Sequence, residues 1–247
     1  MRSFSKGLFL FALISLISIG PAVMAENEEE KSWSITTQVD FQSAYMFRGQ
    51  DLFDGTGIQP SITTEYSLGD LGTFGGNVWS HLSADENKSS EERFTEIDYT
   101  LYHNIKFDQV TLGGGLVWYT YPADDDITNT QEYFLKLALD TPLSPTVVYY
   151  RDFDAVNANF FVLSLSEELT SPSFGEGVSV SPFASGTFVE GADGLYEQDG
   201  LAHVTLGTSA SFSIGKVGVV PALSYNFKID DTTVNKLWLT LTLKYDI

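Results

Sequence analysis

KLWLTLTLKYDI, residues 236–247, alternates without a break. Leu237, Leu239, Leu241, Leu243, Tyr245 and Ile247 fall on one side of an extended chain; Trp238, Thr240, Thr242, Lys244 and Asp246 fall on the other. Successive side chains of a β-strand point to opposite faces, so this period of two marks a strand with one apolar and one mostly polar face. The segment before it behaves alike, with Val217, Val219, Leu223, Tyr225 and Phe227 opposed to Gly218, Ala222, Ser224 and Asn226. At the other end of the pattern, Ile35, Val39, Phe41, Tyr45 and Phe47 oppose Thr36, Gln38, Asp40, Gln42 and Arg48.

Extending the same test along the chain predicts twelve strands, at 33–48, 58–68, 73–83, 94–106, 110–120, 131–139, 146–152, 159–167, 178–189, 202–213, 217–227 and 236–246. Pro182 interrupts the ninth. Connections after even-numbered strands are mostly short, whereas 84–93 (ADENKSSEER), 121–130 (YPADDDITNT) and 190–201 (EGADGLYEQDGL) are long and acidic. Short turns alternating with long loops are the signature of an up-and-down antiparallel membrane barrel, with turns in the periplasm and loops outside. The exception is 169–177 (LTSPSFGEG), long for a periplasmic turn, where an uncounted strand has room to hide. A sheet crosses hydrocarbon only if it closes on itself, because each unpaired backbone group there costs several kcal/mol. The expected fold is therefore all-β: a transmembrane up-and-down barrel of about 12 strands over 33–247. Aromatics gather toward strand ends (Tyr45, Phe47, Tyr66, Phe74, Trp118, Tyr119, Tyr121, Tyr133, Phe160, Phe161, Phe212, Phe227, Trp238 and Tyr245), where interfacial girdles belong.

The ends and the composition agree with a cell-envelope destination. Arg2 and Lys6 precede an apolar stretch from Leu8 to Ile19, and Val23-Met24-Ala25 offers small residues for a cut. Residues 1–25 read as a secretory signal peptide and 26–32 as an acidic N-terminal tail. No later run is long and apolar enough for a spanning helix. The chain has no cysteine, so disulfides hold none of it. Beyond the signal, 11 basic residues face 33 acids, which argues against nucleic acid as a partner.

The segment 39–50, VDFQSAYMFRGQ, carries the most specific text. With Tyr66 and the Gly75-Gly76-Asn77-Val78-Trp79 stretch it resembles the TorF-like (Gcw-type) family of porin-like outer-membrane proteins. That resemblance implies an outer-membrane barrel and a pore, without a defined substrate. The chain ends in Ile247, where many such barrels end in an aromatic residue.

Candidate functional residues follow from the alternation. Arg48, at the outer end of the first strand, belongs in the lumen or its mouth, since charge on the lipid face is costly. It reads either as a constriction residue or as an architectural one that fixes the first loop by pairing with an acid. Gln38, Asp40, Gln42, Glu65, Asp98, Lys106, Lys136 and Lys244 also face inward. Such charged linings tune ion selectivity, or else pair across a solid polar core. Twelve strands leave both an open and a filled interior possible. Asp124-Asp125-Asp126 lacks calcium-loop spacing and reads as a solvated acidic loop. His81, His103 and His203 show no metal-ligand spacing, and no metal or cofactor is expected. Ser80 and His81 point to opposite faces, no G-x-S-x-G occurs, and an enzyme is not expected.

The functional expectation is a porin-like channel for passive diffusion of small hydrophilic solutes, cation-preferring through its acidic mouth. The alternatives are a non-conducting structural or adhesive barrel, a barrel-embedded enzyme, or a soluble periplasmic barrel or sandwich. Expected partners are outer-membrane lipid and lipopolysaccharide, the barrel assembly machinery and the permeating solutes.

Overall fold

A computed structural model describes residues 32–53, 55–84, 93–123 and 127–247. The signal segment, the tail up to residue 31, most of loop 84–93 and the Asp124–Asp126 run lie outside the described residues.

Twelve strands form one closed antiparallel barrel: β1 (Trp33–Gln42), β4 (Gly57–Ser67), β5 (Thr73–Ser83), β6 (Phe94–Phe107), β7 (Val110–Thr120), β8 (Thr130–Leu139), β9 (Thr146–Asp152), β10 (Asn159–Ser166), β12 (Ser179–Glu190), β13 (Gly200–Ile214), β14 (Val217–Lys228) and β15 (Lys236–Asp246). Three shorter pieces complete the count: β2 (Tyr45–Phe47) and β3 (Gln50–Phe53), a separate hairpin, and β11 (Leu169–Thr170). Each wall strand pairs with its neighbours in sequence. Closure is made by β1 against β15, with Val39 opposite Leu243 and Gln42 opposite Thr240. The ladder has no free edge, as a spanning sheet requires.

Alternation sorts the side chains as the sequence implies. Leu135, Leu163, Leu206, Leu223, Leu237 and Leu239 stand on the outside, Leu239 with 59% of its surface uncovered. In water such a belt would be a large exposed apolar patch; against acyl chains it is the matching surface. Aromatics flank it at both ends. Trp33 and Tyr66 stack edge to face near the periplasmic rim, with ring centroids 5.2 Å apart. Near the outer rim Tyr133, Tyr149 and Phe161 form a chain of contacts at 6.0 and 5.0 Å.

The first strand departs from expectation. Its alternation runs to Arg48, but the wall strand ends at Gln42. Ser43 makes the last wall bonds, its N–H donating to the Leu239 carbonyl and its hydroxyl accepting from the Leu239 N–H. The chain then turns inward. Tyr45 and Phe47 are buried inside the barrel, and Tyr119, Tyr121 and Phe160 join them there instead of in a girdle. Period two reports that two faces differ; it does not say whether the apolar face meets lipid or an interior cluster. The long turn at 169–177 holds only β11, which extends the β12 ladder through Leu169–Val180, and a 3-10 turn at Pro172–Phe174. The barrel count stays at twelve. Pro182 is accommodated within β12 opposite Thr208.

Because Leu241 lies mid-strand on the lipid side, Leu241→Arg is expected to cost about 2–4 kcal/mol of barrel stability. Urea unfolding of protein folded into lipid vesicles checks this. Thr240→Arg, on the neighbouring inward position, is expected to cost less.

Candidate functional site

The β2–β3 hairpin lies across the outer half of the lumen, and Arg48 is at its tip. Arg48 (φ 44°) and Gly49 (φ 87°) both adopt left-handed backbone, which reverses the chain in two residues. Gly49 is also pressed against the opposite wall. A Cβ there would sit 2.6 Å from the His203 ring. Its carbonyl accepts from the Val234 N–H at 3.0 Å and from Asn226 Nδ2 at 3.2 Å. Asn226 is held in turn by His203 and by the Thr205 hydroxyl, at 2.7 and 2.8 Å, and His203 contacts the Thr187 hydroxyl at 3.0 Å. Tyr196, in the loop between β12 and β13, donates its hydroxyl to the Arg48 carbonyl at 3.0 Å.

The Arg48 side chain reaches β8, five strands around the wall from β1. Both guanidinium nitrogens donate to Glu132, at 2.7 and 2.8 Å. The Tyr119 hydroxyl donates to the same carboxylate at 2.8 Å. The rings of Phe47, Tyr150 and Phe160 surround the guanidinium, with centroids 4.6, 4.7 and 4.0 Å from Cζ. Both members of the pair are buried. A buried ion pair holds only with this kind of geometry, two parallel charge-assisted bonds and a third donor on the carboxylate.

The hairpin's other residues anchor it on several sides. The Tyr45 hydroxyl donates to Glu96 at 2.9 Å, and its ring stacks on His81 at 4.7 Å. Gln50 Nε2 donates to the Leu195 carbonyl at 2.8 Å, and Lys236 pairs with Asp51 at 2.6 Å. Trp79, Val117, Tyr119, Phe134, Tyr150 and Phe160 pack around it as one cluster. The outer half of the barrel is thus filled by side chains. The inner half is lined by half-buried polar residues, among them Ser61, Thr63, Asn77 and Thr100.

The residues expected in the lumen divide by depth. Arg48, Asp40, Gln42 and Asp98 are buried in the outer part. Asp40 accepts from Gln38 at 2.9 and 3.1 Å and from Thr242 at 2.5 Å, and Gln42 donates to Gln59 at 2.6 Å. Asp98 Oδ1 has no hydrogen-bond partner among the described residues. Glu65 accepts from the Tyr102 hydroxyl at 2.7 Å, and Lys136 is half-buried at a similar depth. Lys106 and Lys244 stand toward the periplasmic ends of their strands, paired with Asp140 at 3.1 Å and Asp246 at 3.5 Å; Lys106 is exposed and Lys244 half-buried. His103 lies near the same rim against the Leu71 carbonyl.

Sequence reading passed over Glu132, Glu96 and Gln59. The parity that turned Lys136 inward also turns Glu132 inward; what it lacked was the partner, 84 residues away. Among the described residues no group of three or more His, Asp or Glu side chains could hold a metal ion.

The segment 39–50 holds the end of β1 and the hairpin's first strand and tip, and it falls inside a family match. Residues 26–168, more than half of the chain, match the family described as "Bacterial protein of unknown function (Gcw_chp)". The chain belongs to this family. No curated protein matches it. Among solved structures it resembles an outer membrane channel from Pseudomonas putida F1 (13% identity, TM-score 0.51, covering 91% of this chain and 99% of that one). It also resembles the NanC porin (8% identity, TM-score 0.51, 85% and 97%) and LpxR from Salmonella typhimurium (9%, 0.52, 86% and 99%). At these identities the likeness establishes the barrel fold of bacterial outer-membrane proteins for this Gcw-type chain.

Two outcomes follow from the geometry. Arg48→Ala leaves Glu132 buried without its cation and is expected to cost about 3–5 kcal/mol, whereas the double change Arg48→Met with Glu132→Leu recovers most of that loss. Urea unfolding of the three proteins in vesicles measures both.

The second outcome concerns the outer loop at 229–235. Burial pushes the Asp230 carboxyl up, but bonds from the Thr232 hydroxyl and N–H and from the N–H groups of Glu197 and Gln198 outweigh it, holding its pKa below 3.8. Its contribution to holding the two loops together is therefore complete above pH 3.8 and lost as the pH falls through the lowered value. The Glu197 and Gln198 amide signals in NMR are expected to titrate with that low midpoint, and to lose the transition in Asp230→Asn.

Proposed function

We propose that this protein is an outer-membrane channel of the porin type, shut in the state described here by its own first loop. The observation that carries this is the β2–β3 hairpin seated across the lumen, latched by Arg48 on Glu132. The fold shared with a porin and an outer-membrane channel supports the class. The polar lining of the inner half suits small hydrophilic solutes, which would diffuse once the hairpin withdraws. The N-terminal signal would direct export and be removed, and the barrel assembly machinery would insert the strands. Acidic outer loops would meet lipopolysaccharide through divalent ions.

A cation preference fits the charge distribution. When the hairpin leaves, Arg48 leaves with it, and Glu96, Asp98 and Glu132 remain on the wall of β6 and β8. A lumen lined by uncompensated carboxylates attracts cations and repels anions. The second reading, a non-conducting structural or adhesive barrel, draws on the same filled outer half.

Planar-bilayer recording separates them. The wild-type protein is expected to be mostly silent, and a variant with residues 43–53 replaced by a Gly/Ser linker to conduct steadily, with a cation-selective reversal potential in a KCl gradient. Large steady wild-type currents would sink the shut state. Silence of the linker variant in every salt would leave the non-conducting barrel.

A further inference from the structure

The surroundings of the Arg48 guanidinium divide by origin. One ring, Phe47, comes from the hairpin itself. Everything else belongs to the wall: Tyr119 on β7, Glu132 on β8, Tyr150 on β9 and Phe160 on β10, four consecutive strands. These wall groups hold one another independently of the hairpin. Tyr119 donates to Glu132 at 2.8 Å, Phe160 is in register with Tyr150, and Phe134 packs on Tyr150 at 5.8 Å. Withdrawing the hairpin therefore leaves a formed pocket with a carboxylate at one end and two aromatic faces around it.

That chemistry is specific. A carboxylate presenting both oxygens matches the planar fork of a guanidinium, which makes two parallel bonds, whereas an ammonium is a point charge. Aromatic faces a few ångströms from the cation add attraction through the ring quadrupole, and aromatic cages are a general means of recognising organic cations. Anions are repelled by Glu132.

We propose that Glu132, Tyr119, Tyr150 and Phe160 form a binding site for guanidinium-bearing small solutes, and that Arg48 is its internal ligand. The inference rests on the reading of the hairpin as a removable plug and gives that channel a solute class. In the shut state the chain occupies its own site. A guanidinium solute arriving from outside competes with Arg48, and by filling the site it favours the withdrawn hairpin, since a ligand shifts an equilibrium only through its preference for one state.

The test empties the site and refills it. In the full-length Arg48→Ala protein folded in detergent, about 10 mM methylguanidinium, ten times a ~1 mM dissociation constant, is expected to raise the thermal midpoint by about 3 °C. Equimolar methylammonium or sodium chloride is expected to do much less, and Arg48→Ala with Glu132→Gln to lose the response. If methylguanidinium does no more than sodium chloride, or acts equally on the double variant, the site is overturned; if methylammonium matches it, the two-bond recognition is overturned. Should Arg48→Ala refuse to fold in plain salt, refolding yield becomes the readout, and equal yields in the two cations overturn the proposal. Bilayer currents from the same variant keep the two readings apart. Conduction with no methylguanidinium effect on stability or current removes the site and leaves the channel. A methylguanidinium-specific stabilisation of a barrel that stays silent removes the channel and leaves the site.

Discussion

Hydrocarbon offers no hydrogen bonds to a peptide group. A chain that crosses it in strands must therefore pair every backbone N–H and C=O with a neighbour and finish where it began. Here that condition is met by the β1–β15 ladder, in which residues near the two ends of the barrel domain lie opposite each other, Thr36 against Asp246 and Gln42 against Thr240. Once the ring is closed, outward side chains must be apolar, and inward ones are free to differ. The free positions hold the chemistry of this protein.

The inner wall uses that freedom unevenly. Toward the periplasm it carries hydroxyls, amides and a few half-buried charges. Toward the outside it carries aromatics and a set of buried polar groups that the hairpin meets. Tyr45 meets Glu96, Gly49 lies on His203, and Arg48 meets Glu132 inside an aromatic ring of contacts. Glycines in the wall make room for these groups. Gly115 leaves space where a Cβ would sit 2.6 Å from the Phe134 ring, and Phe134 in turn backs Tyr150. The hairpin and the wall are thus fitted to each other, down to positions that never touch Arg48.

A buried guanidinium–carboxylate pair is an expensive way to fill a barrel. Apolar residues of similar volume would serve stability as well or better, because both charges lose their hydration. What the pair adds is direction and dependence on one partner: the Arg48 side chain sits in a seat on the wall defined by two bonds to Glu132 and the rings of Tyr150 and Phe160. Such a seat fixes the hairpin tip by geometry as well as by burial.

Period two in stretches such as 236–247, short turns such as Gly215-Lys216 and acidic loops between them were enough to determine a twelve-stranded barrel, because each is a local consequence of backbone geometry. The same parity turned Asp40, Gln42, Asp98 and Lys136 inward. It failed at Ser43. Beyond that residue Tyr45 and Phe47 keep the alternation of a wall strand while belonging to a hairpin, and nothing within twelve residues distinguishes a lipid-facing aromatic from a lumen-facing one. Parity also carries no depth: it gives Lys106 near the periplasmic rim and Arg48 in the outer half the same inward reading, since depth along the barrel depends on strand tilt and stagger. Only the tertiary structure decided these points. Arg48 and Glu132 are 84 residues apart and meet because closure brings β8 to face the tip of the first loop, a proximity that no local rule encodes.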